Sequence, residues 1–234
     1  FKQKTAYEIL TCDWSSDVCS SDLDAASVAV VIAVAAGSRC EIPASGGITH
    51  FAEHMFFKGT ERRPTARAIA SEIDGIGGEF NAFTGKEYTG YYVKAAAEHR
   101  DAALDVLVDM LRRSLFDPEE IEREKGVIVE EINMYTDTPR DLVGQVYDTA
   151  RYGDTPIGRP IIGTKDTVRA ATRETFLDYL GTWYRPERMA IGIGGCVTDA
   201  LLDAESDEEF GSVVFKEHSN AWIVCGPVKH FSNP

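Results

Sequence analysis

Gly47-Ile48-Thr49-His50-Phe51-Ala52-Glu53-His54-Met55-Phe56-Phe57-Lys58-Gly59 is the stretch from which the rest of the chain is read. Ile48, Phe51, Ala52 and Met55 recur at i, i+3, i+4 and i+7, the period of one α-helical face. Gly59 marks a C-terminal stop, and Lys58 sits favourably at the negative end of the helix dipole. At about 100° per residue, His50, Glu53 and His54 fall on the face opposite Ile48 and Met55. Two imidazoles four residues apart on one helical face can hold one divalent ion, and a carboxylate between them can activate its water.

Upstream, Ser27 to Gly37 is rich in Val and reads as a buried strand. Ser45-Gly46-Gly47 turns into the histidine helix. Downstream, Pro64 and Thr65 open a helix through Ile73, ended by Gly75-Ile76-Gly77-Gly78. Glu79 to Thr84 and Tyr88 to Ala95 read as a hairpin around Gly85-Lys86-Glu87. Helices are expected over Glu98 to Ser114, from Asp117 to about Tyr135, over Asp141 to Ala150, over Thr172 to Trp183 and over the acidic Thr198 to Phe210. Arg188 to Gly194 is a further buried strand. In the capped helix, Asp117 is the N-cap, Pro118 is N1 and Glu120 is the N3 partner of a capping box.

The two ends read differently. Residues 1–23 repeat Ser-Ser-Asp, show no period, and resemble translated sequencing-adapter read-through. They are expected to be a non-native or disordered leader. Residues 24–211 form the domain that carries the site, and residues 212–234 form a tail with no usable period.

The chain has 234 residues, enough for one domain with a substantial core. Its net charge of -14 argues against a nucleic-acid partner, which needs clustered Lys and Arg. No apolar run approaches the roughly 20 residues of a membrane span, and no signal-peptide pattern is visible. The five cysteines are irregularly spaced with no C-x-x-C, which points to a reducing compartment rather than a disulfide framework. His99, His218 and His230 read as solvated, and Cys40 and Cys196 as plain thiols. Gly192-Ile193-Gly194-Gly195 lacks the context of a dinucleotide fingerprint.

A site built on two histidines needs a third protein ligand. Glu124 and Glu131 lie two turns apart on the capped helix and flank its apolar stripe of Ile121, Ile128, Ile132 and Tyr135. Glu130 points into the polar side. A carboxylate beside a core stripe needs a cation or donors. A metal would justify Glu131, and a role orienting a ligand or water would justify Glu124. Pairing of both acids with Arg or Lys at a half-exposed position fits the spacing equally well.

His50-Phe51-Ala52-Glu53-His54 with Glu131 is H-x-x-E-H-x76-E. Together with Gly78-Glu79-Phe80-Asn81-Ala82-Phe83-Thr84 and Pro156-Ile157-Gly158-Arg159-Pro160, it resembles the pitrilysin/insulinase (M16) family of zinc metallopeptidases. Over about residues 25 to 211 the sequence is most similar to the mitochondrial processing peptidase β subunit and its bacterial relatives. The resemblance implies an α+β half-molecule: a mixed or antiparallel sheet with helices packed mainly on one face. It implies Zn2+ on His50, His54 and Glu131, Glu53 as general base, and Glu124 supporting the site. Asn81 and Ala82 would lie on the strand edge that pairs with an extended peptide. Asp141 matches an acid that reads a basic residue near the cleaved bond, while Gln145 stands where a second acid is usual. The implied substrates are unfolded peptides or presequences, and the implied partner is a second homologous domain or subunit. A bacterial-type cytoplasmic setting is expected, or else the mitochondrial matrix. Non-catalytic relatives of the same fold, and a fragment inactive by itself, are the alternatives.

Overall fold

The computed structural model describes residues 26–195, 214–218 and 221–225. Its frame is a six-stranded sheet of β1 (Ser27–Val34), β2 (Glu79–Thr84), β3 (Thr89–Ala96), β4 (Met189–Gly195), β5 (Val214–His218) and β6 (Ala221–Cys225). The strand order is β2-β3-β1-β4-β6-β5, and each neighbouring pair is antiparallel. The α+β class is as expected, with the antiparallel form of the sheet.

β1 is the pivot. Its Val30 stands opposite Val93 of β3 on one side and Ile193 of β4 on the other. Val28, Val30, Ile32 and Val34 are buried. Their neighbours Ala29, Val31 and Ala33 are only partly covered. The strand is therefore one-sided, although its composition suggested burial on both faces. Small side chains on the outer face make the two patterns look alike in sequence.

Seven α-helices pack on this frame: α1 (Ile48–Phe56), α2 (Ala66–Gly75), α3 (Arg100–Arg113), α4 (Pro118–Asp137), α5 (Pro139–Tyr152), α6 (Lys165–Ala170) and α7 (Arg173–Trp183), counted among the described residues. The histidine helix α1 lies at the centre of the core. Ile48, Phe51, Ala52, Met55 and Phe56 are each 2% exposed or less. The Phe56 ring sits 5.2 Å from Tyr91 of β3 and 5.2 Å from Phe116, centroid to centroid. Phe51 meets Phe176 of α7 at 4.9 Å. Each such apolar side chain contributes about 1.5–3 kcal/mol relative to exposure. At nine residues α1 is too short to persist alone, so this packing fixes its position.

Asp117 caps α4 as expected, accepting the N–H groups of Glu119 and Glu120 at 2.8 and 3.2 Å. The capping box is one-sided, because Glu120 turns outward to Arg123. α4 extends to Asp137, and Pro139 then opens α5. The six-residue α6 was not legible, although Thr164 and Thr167 form a reciprocal capping box there. β5 and β6 pair in the stretch where no period was found. The leader at 1–23, the acidic helix at Thr198 to Phe210, Cys196 and His230 lie outside the described residues.

Candidate metal centre

The polar side of α1 faces the neighbouring α4. His50 Nε2 lies 3.7 Å from Glu131 Oε1, and His54 Nε2 lies 3.6 Å from Glu131 Oε2. One ligating atom from each of His50, His54 and Glu131 can be chosen so that all lie within 4.8 Å of one another. Glu131 thus meets two imidazoles, not the Arg or Lys that the spacing also allowed. Glu130 is on the outside, where it accepts from Asn133 at 3.2 Å.

Glu124 is buried on the same helix, one oxygen 2.8 Å from His54 Nδ1 and the other 2.5 Å from Lys58 Nζ. A carboxylate on Nδ1 accepts a hydrogen bond there and leaves Nε2 as the nitrogen that faces Glu131. Burial works to raise the Glu124 carboxyl, but the hydrogen bonds from His54 and Lys58 outweigh it and hold it below the usual carboxylate range. Burial pushes His50 down to about 4, with neighbouring His54 adding to the effect, so the His50 ring is neutral at pH 7. Its Nδ1 is buried with no hydrogen-bond partner among the described residues. Burial raises the Glu131 carboxyl, with His54 opposing and Glu124 reinforcing.

Glu53 stands beside this cluster. The Thr84 hydroxyl, at the end of β2, donates to its Oε2. Burial raises the Glu53 carboxyl against that hydrogen bond and against His54. Thr84 was not singled out in the sequence, because only the folded hairpin brings it to α1.

The donor set fits a divalent cation. Two imidazole nitrogens and a carboxylate converge, and among the described residues Lys58 is the one lysine or arginine seen to pair with any of Glu53, Glu124 and Glu131. Carboxylates taken out of water in that surplus need a positive charge.

An open cleft of about 540 Å3 runs along His50 and Glu53, bounded by Thr84, Tyr135, Asp141 and Gln145. Asp141 therefore lines the same cleft as His50 and Glu53. Asn81 and Ala82 do not line this cleft but lie on β2, the edge strand that ends at Thr84. Gly85 N donates to Tyr88 O at 2.8 Å, so counting back along the ladder makes Ala82–Tyr91 a pair without mutual backbone bonds. The Ala82 N–H faces the open edge, where the Asn81 side-chain carbonyl accepts it at 2.8 Å.

The start of α1 is held by a residue that the sequence did not flag. Glu41 accepts the N–H of Gly47 at 2.7 Å and of Thr49 at 2.8 Å, one on each carboxylate oxygen. Burial raises the Glu41 carboxyl to about 7, against those hydrogen bonds and the nearby Arg159. From pH 4.5 to about 7 the folded chain keeps a proton that the unfolded chain has released. Glu41 therefore favours folding at low pH, and this contribution is lost as pH rises through about 7. The expected result is that parent stability, measured against Glu41→Gln by urea unfolding, falls by on the order of 2–3 kcal/mol across that window. Parallel curves for parent and variant would refute it.

The insulinase (peptidase family M16) model matches residues 18–165. The chain belongs to the M16 peptidase family. It is 45% identical over 186 residues to a Bacillus subtilis protein named "Uncharacterized zinc protease YmxG", covering 80% of this chain and 45% of that one. It is 40% identical over 177 residues to an Arabidopsis thaliana protein named "Probable mitochondrial-processing peptidase subunit beta, mitochondrial", covering 76% and 33% respectively. The solved structure of a protease from Helicobacter pylori shares the fold at a TM-score of 0.74 and 22% identity, covering 79% of this chain and 45% of that one. The chain thus spans less than half the length of these relatives. No helix among the described residues is long and apolar enough to cross a membrane.

Proposed function

We propose that this chain is the metal-bearing half of a zinc-dependent endopeptidase that hydrolyses unfolded peptides or presequences. The observation that carries the proposal is the convergence of His50, His54 and Glu131 within 4.8 Å, with the Thr84-held Glu53 beside them. His50, His54 and Glu131 would hold Zn2+, which supplies Lewis acidity for peptide-bond hydrolysis. Glu124 orients His54 and fixes its tautomer. Thr84 occupies Glu53 Oε2, which leaves Oε1 to take a proton from the attacking water and pass it to the departing amine. Asp141 faces the cleft as the acid for a basic side chain, with the neutral Gln145 one turn on. A peptide would add to the open edge of β2 at Asn81 and Ala82.

Because the chain spans less than half of its relatives, activity is assigned to a protein completed by a second homologous domain or partner subunit. A bacterial cytoplasmic setting is proposed, with the mitochondrial matrix as the alternative that the name of the Arabidopsis thaliana relative suggests. The test is zinc stoichiometry on the chain, and cleavage of an unstructured peptide by a version completed to the relatives' length. One zinc per chain and metal-dependent cleavage are expected. A folded chain that takes up no zinc would leave only the non-catalytic alternative.

A further inference from the structure

We infer that Glu41 is a positioning residue for the metal centre: its carboxylate clamps the first turn of α1 and so sets where His50 stands relative to Glu131. This inference rests on the metal reading above. Three observations carry it. First, α1 begins without a side-chain cap of its own, since Gly47 at its N-cap has φ of 91° and no side chain. Glu41, from the loop after β1, takes the Gly47 and Thr49 N–H groups instead. A helix start normally left to water is thereby satisfied inside the protein.

Second, the same turn is braced from two other directions. The Thr49 hydroxyl meets the Tyr179 hydroxyl of α7 at 2.6 Å. A Cβ on Gly47 would lie 2.5 Å from Ile162 O, so the backbone there is seated directly against the cleft wall. Third, Glu41 is tied to the segment that carries Ile162: its backbone carbonyl accepts from Arg159 Nη2 at 2.8 Å. Thr49 immediately precedes His50 in the chain, so any slack in the clamp moves the first ligand. Glu131 sits on a separate helix whose position the clamp does not set. A loosened turn therefore changes the spacing between ligands rather than translating the whole site. Burying Glu41 costs stability at neutral pH, which fits a residue kept for position rather than for packing.

The test measures Zn2+ affinity of the 234-residue chain at pH 8 by competition with a chromophoric chelator. The visible spectrum of the Co2+-loaded chain is recorded alongside. Glu41→Gln keeps the shape but offers only one oxygen to two N–H donors. Its Zn2+ affinity is expected to fall about 10-fold or more, the range for residues that orient ligands, with a shifted Co2+ spectrum and unchanged far-ultraviolet circular dichroism. Affinity and spectrum both matching the parent would overturn the inference. If Glu41→Gln does not fold, Glu41→Asp carries the test, since it keeps the charge but draws the two oxygens back from the Gly47 and Thr49 N–H groups. A twofold or smaller change in Glu41→Asp would then overturn the inference, and a larger fall would uphold it. A parent chain that binds no zinc overturns the metal reading and this inference together. Parent and variants that bind equally overturn this inference alone.

Discussion

Glu53→Gln is expected to lower kcat/KM for peptide cleavage by about 1,000-fold while zinc stays bound at one per chain. The substitution is nearly isosteric, and a Gln carbonyl can still accept from Thr84. What it removes is the oxygen that can take a proton. A general base contributes typically 10²–10⁴ in rate, so the loss falls mainly in kcat. The measurement is steady-state cleavage of an unstructured peptide by the completed protein, with metal content determined on the same samples. Turnover within tenfold of the parent would remove Glu53 from the mechanism.

Glu131→Gln separates the metal from the fold. Zinc affinity is expected to fall by 100-fold or more, because the one anionic ligand of the cluster is lost. Without metal, the variant is expected to melt at or above the parent temperature. Burial raises the Glu131 carboxyl, and an amide carries no such penalty. At a zinc concentration 100 times the parent's Kd the parent gains about 2.7 kcal/mol, and the variant should gain about 0.4 kcal/mol or less. Melting curves with zinc and with a chelator check both halves. A variant that binds zinc within threefold of the parent would show that Glu131 is not a ligand.

Much of this centre was legible because helical geometry carries information over long separations. His50, Glu53 and His54 lie on one helix, and one period places all three. Glu124 and Glu131 lie two turns apart on another, so a single face holds both. That these two faces meet is a tertiary fact, which spacing alone left open against pairing with Arg or Lys. Thr84 and Glu41 were not legible for a related reason. Each sits at the end of a strand or in a loop, where a polar residue looks solvated until the chain closes over it. α6 and the β5–β6 pair were missed because five or six residues are too few to establish a period.

The Asn81 side chain gives the sheet edge a gatekeeper. By holding the Ala82 N–H, it shields a strand that is at the edge among the described residues from adding a stray strand of another chain, a known hazard of open edges. An incoming peptide must displace that carbonyl, at a cost of about 1 kcal/mol. A single backbone contact barely recovers this. A segment extended over several residues of β2 does so easily. On the proposed reading of β2 as the peptide-binding strand, the edge would therefore discriminate by the length of extended backbone offered to it, before any side chain is read.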